Sequence, residues 1–253
     1  MKLSRCFAPR QLLFLLTASL ITSGVRAALG QETVTLRNGQ TEEASVLGVT
    51  PSGIKLQVGN AVMVQPFANI AQVTMATPPE YTAAVTAYEQ GDLQKALSNA
   101  EAVVKSYRGL PTDWARGAMV ALGDIYVALG ELPQAQTAYT DCQVAYPGTG
   151  VEDVAVGLAL IDVANKNYDA ARGKIGPVLA EALKQESPPA AAGALYGRAF
   201  YASGRIKEET GDLTGALEDY LRTVAVFPQD RVAAASSQER AEVLRKEHGI
   251  AVP

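Results

Sequence analysis

Residues 119–147 read MVALGDIYVALGELPQAQTAYTDCQVAYP. Two helices joined by a tight turn account for the pattern. Leu122 and Tyr126 lie four apart and so share one side of a first helix. Gly123 removes a side chain there and lets a second helix approach closely. Ala135 and Tyr139 repeat the four-residue spacing on that second helix. Pro147 ends the unit, because proline has no N–H with which to extend a helix.

The same offsets return downstream. Phe200, Ser203 and Gly204 are followed by Gly211-Asp212-Leu213, then Ala216, Tyr220 and Pro228. This copy departs from the first at two places: Ser203 stands where Leu122 stood, and Lys207 where Tyr126 stood. Two further units are eroded. One keeps Gly91-Asp92-Leu93 and Ala96-Leu97. The other keeps Leu158-Ala159, Tyr168 and Ala171, with Lys166 and Asn167 in place of the glycine turn. The four alanines Ala96, Ala135, Ala171 and Ala216 are 39, 36 and 45 residues apart. Longer links, at Arg108 to Asp113 and at Ser187-Pro188-Pro189, account for the uneven spacing. A last amphipathic helix from about Arg231 to Lys246, stopping at His248-Gly249, caps the array.

This spacing resembles the tetratricopeptide-repeat (TPR) signature over residues 80–250, with Met119 in the place of the usual tryptophan. The resemblance implies a superhelix of antiparallel helix pairs that binds other molecules and performs no chemistry. It also implies that the first helix of each unit lines a concave surface. Carried onto this chain, the strip is Tyr81, Val85 and Tyr88, then Val120, Asp124 and Val127, then Val156, Leu160 and Val163, then Arg198, Tyr201 and Arg205. Tyrosine and arginine favour binding hot spots. The family's peptide-carboxylate clamp calls for Lys and Asn at groove positions where this chain has Asp124 and Val127.

Upstream, residues 32–76 read as β structure. Glu32 to Arg37 alternates into Asn38-Gly39, a hairpin signal. Ala44 to Thr50, Ile54 to Val58, Val62 to Gln65 and Ala71 to Met75 follow, with turns at Pro51-Ser52-Gly53 and Gly59-Asn60 and a short break at Pro66 to Asn69. The expectation is a small five-stranded barrel, resembling an SH3-like or Sm-like domain, over residues 28–77. After Thr77-Pro78-Pro79 the composition shifts to good helix formers. The fold class expected is therefore α+β multidomain: a β barrel, then an all-α superhelix over residues 78–253.

Residues 1–27 read as an export signal. Lys2, Arg5 and Arg10 precede an uncharged, mostly apolar run from Leu12 to Thr22, too short to span a bilayer. Val25-Arg26-Ala27 supplies a cleavage site before Ala28. Of 22 basic residues, four lie in that segment, leaving 18 against 26 acidic, about −8. Such a surface repels nucleic acid and anionic headgroups. Cleavage also removes Cys6 and leaves Cys142 alone, so no internal disulfide forms.

The sequence carries no HExxH, GxSxG, P-loop or CxxC motif. Cys142 reads as a buried thiol and His248 as a favourable charge at a helix end. The adjacent carboxylates Glu208-Glu209 and Glu218-Asp219 read as solvated. No catalytic, metal or cofactor residue is expected. The sequence points to a non-enzymatic adaptor of a bacterial periplasm or envelope that binds a protein or peptide. Tyrosines would anchor the partner, and Arg198 and Arg205 would orient it. Other readings are a self-assembling envelope protein or an accessory subunit of an envelope enzyme, with nucleic acid excluded and any membrane contact made through envelope partners.

Overall fold

The computed structural model describes residues 32–185 and 190–250, so the export signal and the Ser187-Pro188-Pro189 link lie outside the described residues. Six strands come first: β1 (Thr33–Leu36), β2 (Thr41–Glu43), β3 (Ser45–Thr50), β4 (Gly53–Val58), β5 (Ala61–Gln65) and, after a single 3-10 turn at Phe67–Asn69, β6 (Ile70–Thr74). They pair antiparallel as two three-stranded sheets, β2-β1-β6 and β3-β4-β5. This corrects the five-stranded barrel expected from the sequence. The strand read from Ala44 to Thr50 is β3, and a further short strand, β2, precedes it at Thr41–Glu43 and pairs with β1, so β2 and β3 serve different sheets. β5 and β6 do not pair, and the sheet does not close. Strand signals are local, whereas closure depends on which edges meet.

Val34, Val46, Ile54, Leu56, Ile70 and Val73 bury the apolar side of the sheets. Leu110, fully buried, and Ala115 complete that core. The link from Arg108 to Asp113 is therefore not slack: Tyr146 Oη accepts from Gly109 N at 3.1 Å and donates to Leu110 O at 3.0 Å, pinning it.

Helices follow as α1 (Pro79–Glu89), α2 (Leu93–Tyr107), α3 (Asp113–Ala128), α4 (Leu132–Ala145), α5 (Val151–Ala164), α6 (Tyr168–Lys184), α7 (Ala190–Glu209), α8 (Leu213–Ala225) and α9 (Arg231–His248). Pairs α1–α2, α3–α4, α5–α6 and α7–α8 are the four units. Ala96, Ala135, Ala171 and Ala216 are each fully buried, which confirms the common register. Each pair turns through one left-handed residue. Gly91, Gly130 and Gly211 serve in three units and Lys166, at φ 62°, in the third. The turn closes alike with or without glycine: Gly130 N donates to Val127 O and Lys166 N to Val163 O.

Within each pair the contact is matched by volume. A Cβ on Gly123 would lie 2.4 Å from the Tyr139 ring, and one on Gly204 2.5 Å from the Tyr220 ring. The eroded units place alanine at the glycine position and a smaller residue at the tyrosine position: Ala84 with Ala100, and Ala159 with Ile175, all buried. Glycine with tyrosine and alanine with a small or aliphatic residue fill the same gap. Helix α9 packs Ala241 and Leu244 on Ala216, Leu217 and Tyr220, and stops at Gly249, φ 62°.

The two departures in the fourth unit have one explanation. Ser203 Oγ donates to Asp219 Oδ2 at 2.6 Å, and Lys207 Nζ lies 2.7 Å from the same oxygen. Asp219 is 1% exposed. Glu208 is also turned inward, bonded to Arg240 and accepting from Tyr220 Oη at 2.6 Å, while Glu209 faces solvent. The expectation that these carboxylates are solvated therefore fails at Asp219 and Glu208. Adjacent helical residues point to different faces, and in each pair one face is the interior.

Candidate functional site on the concave face

The first helices α1, α3, α5 and α7 set their strip residues around one buried ion pair. Arg198 Nη2 on α7 donates to Asp124 Oδ1 on α3 at 2.5 Å, and Tyr139 Oη donates to the same oxygen at 2.5 Å. Asp230, which caps the N-terminus of α9 through Ala233 N, stands 3.9 Å from Arg198 Nε. Burial pushes the Asp124 carboxyl up to about 6, more than the pull of Arg198 and the hydrogen bond from Tyr139 lower it. Burial opposes the Arg198 charge too, but the attraction of Asp124, Tyr139 and Asp230 wins and its pKa is raised. At neutral pH both groups are charged. A charge pair at this depth is tolerated because each charge has the other and further hydrogen-bond partners.

This bridge crosses the concave face, and a cavity opens on either side of it. The larger, about 460 Å³, is lined by Tyr88, Val127, Leu160, Val163, Tyr201 and Arg205 together with Asp124 and Arg198. The smaller, about 300 Å³, is lined by Tyr81, Val85, Tyr88 and Val120, again with Asp124 and Arg198. All ten residues Tyr81, Val85, Tyr88, Val120, Asp124, Val127, Leu160, Arg198, Tyr201 and Arg205 thus lie on these two cavities. Val163 lines the larger one, whereas Val156 is fully buried in the core between α5, α6 and α7.

The two arginines of the strip differ. Arg198 is held by two acids. Arg205 keeps a third of its side chain exposed, donates to Tyr201 Oη at 3.3 Å and lies 3.7 Å from Glu209. It is the cation that the larger cavity presents to solvent. Its pKa is raised because Tyr201 and neighbouring acids outweigh the cost of burial. Tyr88 is pushed well up by burial and by Asp124, so its hydroxyl stays protonated. Around the smaller cavity charges are paired: Arg116 with Asp153 at 3.2 Å and Arg231 with Glu89 at 3.3 Å.

Arg231 to Glu89 joins α9 to α1, so the last helix meets the first. Sequence reasoning missed this, treating α9 as a cap for α8 alone. Asp230, Val232 and Ser236 of α9 line the larger cavity. The available signal was Asp230 as a helix cap just after Pro228, with Val232 and Ser236 four apart on one face. Cys142 is 1% exposed, its thiol pKa pushed up by burial. Among the described residues no group of three or more His, Cys, Asp or Glu is placed to hold a metal ion.

A family model described as "Tetratricopeptide repeat" matches residues 118–149, which is the second unit. No curated protein matches the chain, and no solved structure does. Repeats of this family are typically modules for protein–protein interaction without catalysis. With that match and nine helices among the described residues, four pairs of them in one register, the chain is a TPR-like protein.

Proposed function

We propose that this protein is an adaptor of the bacterial periplasm or cell envelope that receives a segment of a partner protein on its concave face. The observation that carries the reading is the two cavities flanking the Arg198–Asp124 bridge. Both are lined by tyrosines and aliphatic side chains, and the larger adds the solvent-facing Arg205, the residue types that anchor interfaces. The larger cavity has the volume of a site for a few side chains. Val127, Leu160, Val163 and Tyr201 favour an apolar side chain, and Arg205 an acidic or carbonyl group beside it. Arg198 acts as a fixed floor, since its charge is already matched.

Export follows from residues 1–27, with cleavage before Ala28, leaving a β region of open SH3-like arrangement followed by the helical array as the working chain. The N-terminal sequence of the protein recovered from an envelope fraction checks this; an intact Met1 in the cytoplasm overturns it. The function is tested by affinity capture from an envelope extract of the producing cells. A protein partner is expected, lost on Tyr201→Ala with Arg205→Ala while helical circular dichroism is unchanged. Capture of DNA or RNA with no protein overturns the adaptor reading.

A further inference from the structure

Strand β5 is a sheet edge with unusual chemistry. Among the described residues its sole sheet neighbour is β4, and all but the last of its residues are exposed, with Val62 at 56% and Met63 and Val64 at 43%. Edge strands are ordinarily protected by charge, proline, a bulge or a covering element. β5 pairs with β4 in unbroken register from Ala61 to Gln65, and its five residues include no charge and no proline. The uncharged stretch is wide: no Asp, Glu, Lys or Arg occurs between Lys55 and Glu80.

The backbone fixes which groups are free. Gly59 at φ 57° opens the two-residue turn Gly59-Asn60, and Val58 and Ala61 flank it. A two-residue hairpin closes on a hydrogen-bonded pair, so Ala61, Met63 and Gln65 turn their amides towards β4. The N–H and C=O groups of Val62 and Val64 point away from the sheet.

We infer that β5 pairs antiparallel with β5 of a second copy, across a two-fold axis at Met63. The strand is self-complementary about that residue. Val62 falls opposite the partner's Val64, and Val64 opposite the partner's Val62. Each outward amide then finds a carbonyl, giving about four backbone hydrogen bonds. Both cross-strand pairs on the outer face are valine on valine, a favourable contact. Lys55, the nearest charge, lies opposite Val64 on β4 and is kept from its symmetry mate by both β5 strands. The product is one six-stranded sheet, β3-β4-β5-β5-β4-β3, and an isologous dimer. No β5 residue lines either cavity of the concave face, so the pairing is independent of the adaptor reading.

The full chain is expressed and the purified product is weighed by light scattering at tens of micromolar. Twice the monomer mass is expected, halving to one in Val62→Lys with Val64→Lys, which sets lysines against each other across the axis. The surface control Val144→Lys, on α4, keeps the dimer. A monomeric wild type overturns the inference, as does a dimer that the double variant leaves intact. Met63→Cys supplies a second measurement, because the facing residues form a non-hydrogen-bonded pair about 4.5 Å apart, within reach of a disulfide. A covalent dimer under mild oxidation is expected from Met63→Cys and not from Val144→Cys. A ladder of higher species, or amides of Val62 and Val64 that gain hydrogen-exchange protection only when another protein is added, points to a different occupant and overturns it.

Discussion

The second and fourth units have the same frame and opposite interiors. In the second, Leu122 and Tyr126 of α3 and Ala138 of α4 occupy three positions that the fourth fills with Ser203, Lys207 and Asp219, each 81 residues later. Three apolar or aromatic side chains have become a hydroxyl, an ammonium and a carboxylate joined at one oxygen. The third unit offers another solution at two of these positions, with its signs reversed: Asp162 on the first helix meets Lys174 on the second. What this contact requires is complementarity between two helices, and either packing or charge can supply it. A single copy matches the repeat signature well because one of several workable solutions is the one that signature describes.

The largest effect should come from breaking one side of that exchange. Asp219→Ala leaves Lys207 and Ser203 without their acceptor. Losing one partner of a buried pair costs about 3–5 kcal/mol, and a third of Lys207 remains in water, so roughly 3 kcal/mol of unfolding free energy is expected in urea. Installing the whole trio of the second unit, Ser203→Leu, Lys207→Tyr and Asp219→Ala together, should recover most of it. If the triple variant is as unstable as the single one, the two interiors are not interchangeable.

Asp124 sharpens the same comparison, since the fourth unit has Arg205 at its position. Its carboxyl sits at about 6 when folded, against an ordinary 3.8. Between pH 4 and 6 the folded protein keeps a proton that the unfolded chain has lost, so this group's contribution falls as pH rises through that window and is level above it. Asp124→Asn lacks the step. The stability of wild type relative to Asp124→Asn should therefore be greater at pH 4 than at pH 7 by roughly 2–3 kcal/mol, from denaturant unfolding at each pH. A difference that does not change with pH contradicts the elevated carboxyl.

The volume match gives a smaller effect. Gly123→Ala drives a Cβ into the Tyr139 ring and should cost roughly 2 kcal/mol, with the tyrosine forced off its rotamer. Adding Tyr139→Ile copies the Ala159–Ile175 pair of the third unit and should return part of that loss; a strictly additive double variant argues against coupling. The smallest effect separates the turns. Lys166→Gly relieves a left-handed non-glycine residue and should raise stability by about 1 kcal/mol, whereas Gly130→Ala should lower it by a similar amount. Thermal midpoints suffice to read both signs.

Much of the array was legible in the sequence because its signals are local. Gly91, Gly130 and Gly211 mark turns that few other residues adopt, the four alanines mark the closest helix contacts, and Pro147 and Pro228 mark the ends. The strip was legible for the same reason, Val156 excepted, since a helix fixes its own faces once its register is known. Lys207 and Asp219 were not legible as a pair. Read singly, the first looked like a defect and the second like a surface acid, and their contact spans two helices.

By itself, then, the sequence determined the helix pairs, their register and the face that lines the concave surface, all set by spacing within a few turns of chain. Tertiary structure alone decided the rest. It chose that Arg198 would meet Asp124 across 74 residues and divide that face, and that α9 would return to α1. It split the strands after the first hairpin between two sheets, and brought Leu110 in to finish their core. Such contacts depend on the summed geometry of many elements, and no local pattern of residues encodes that sum.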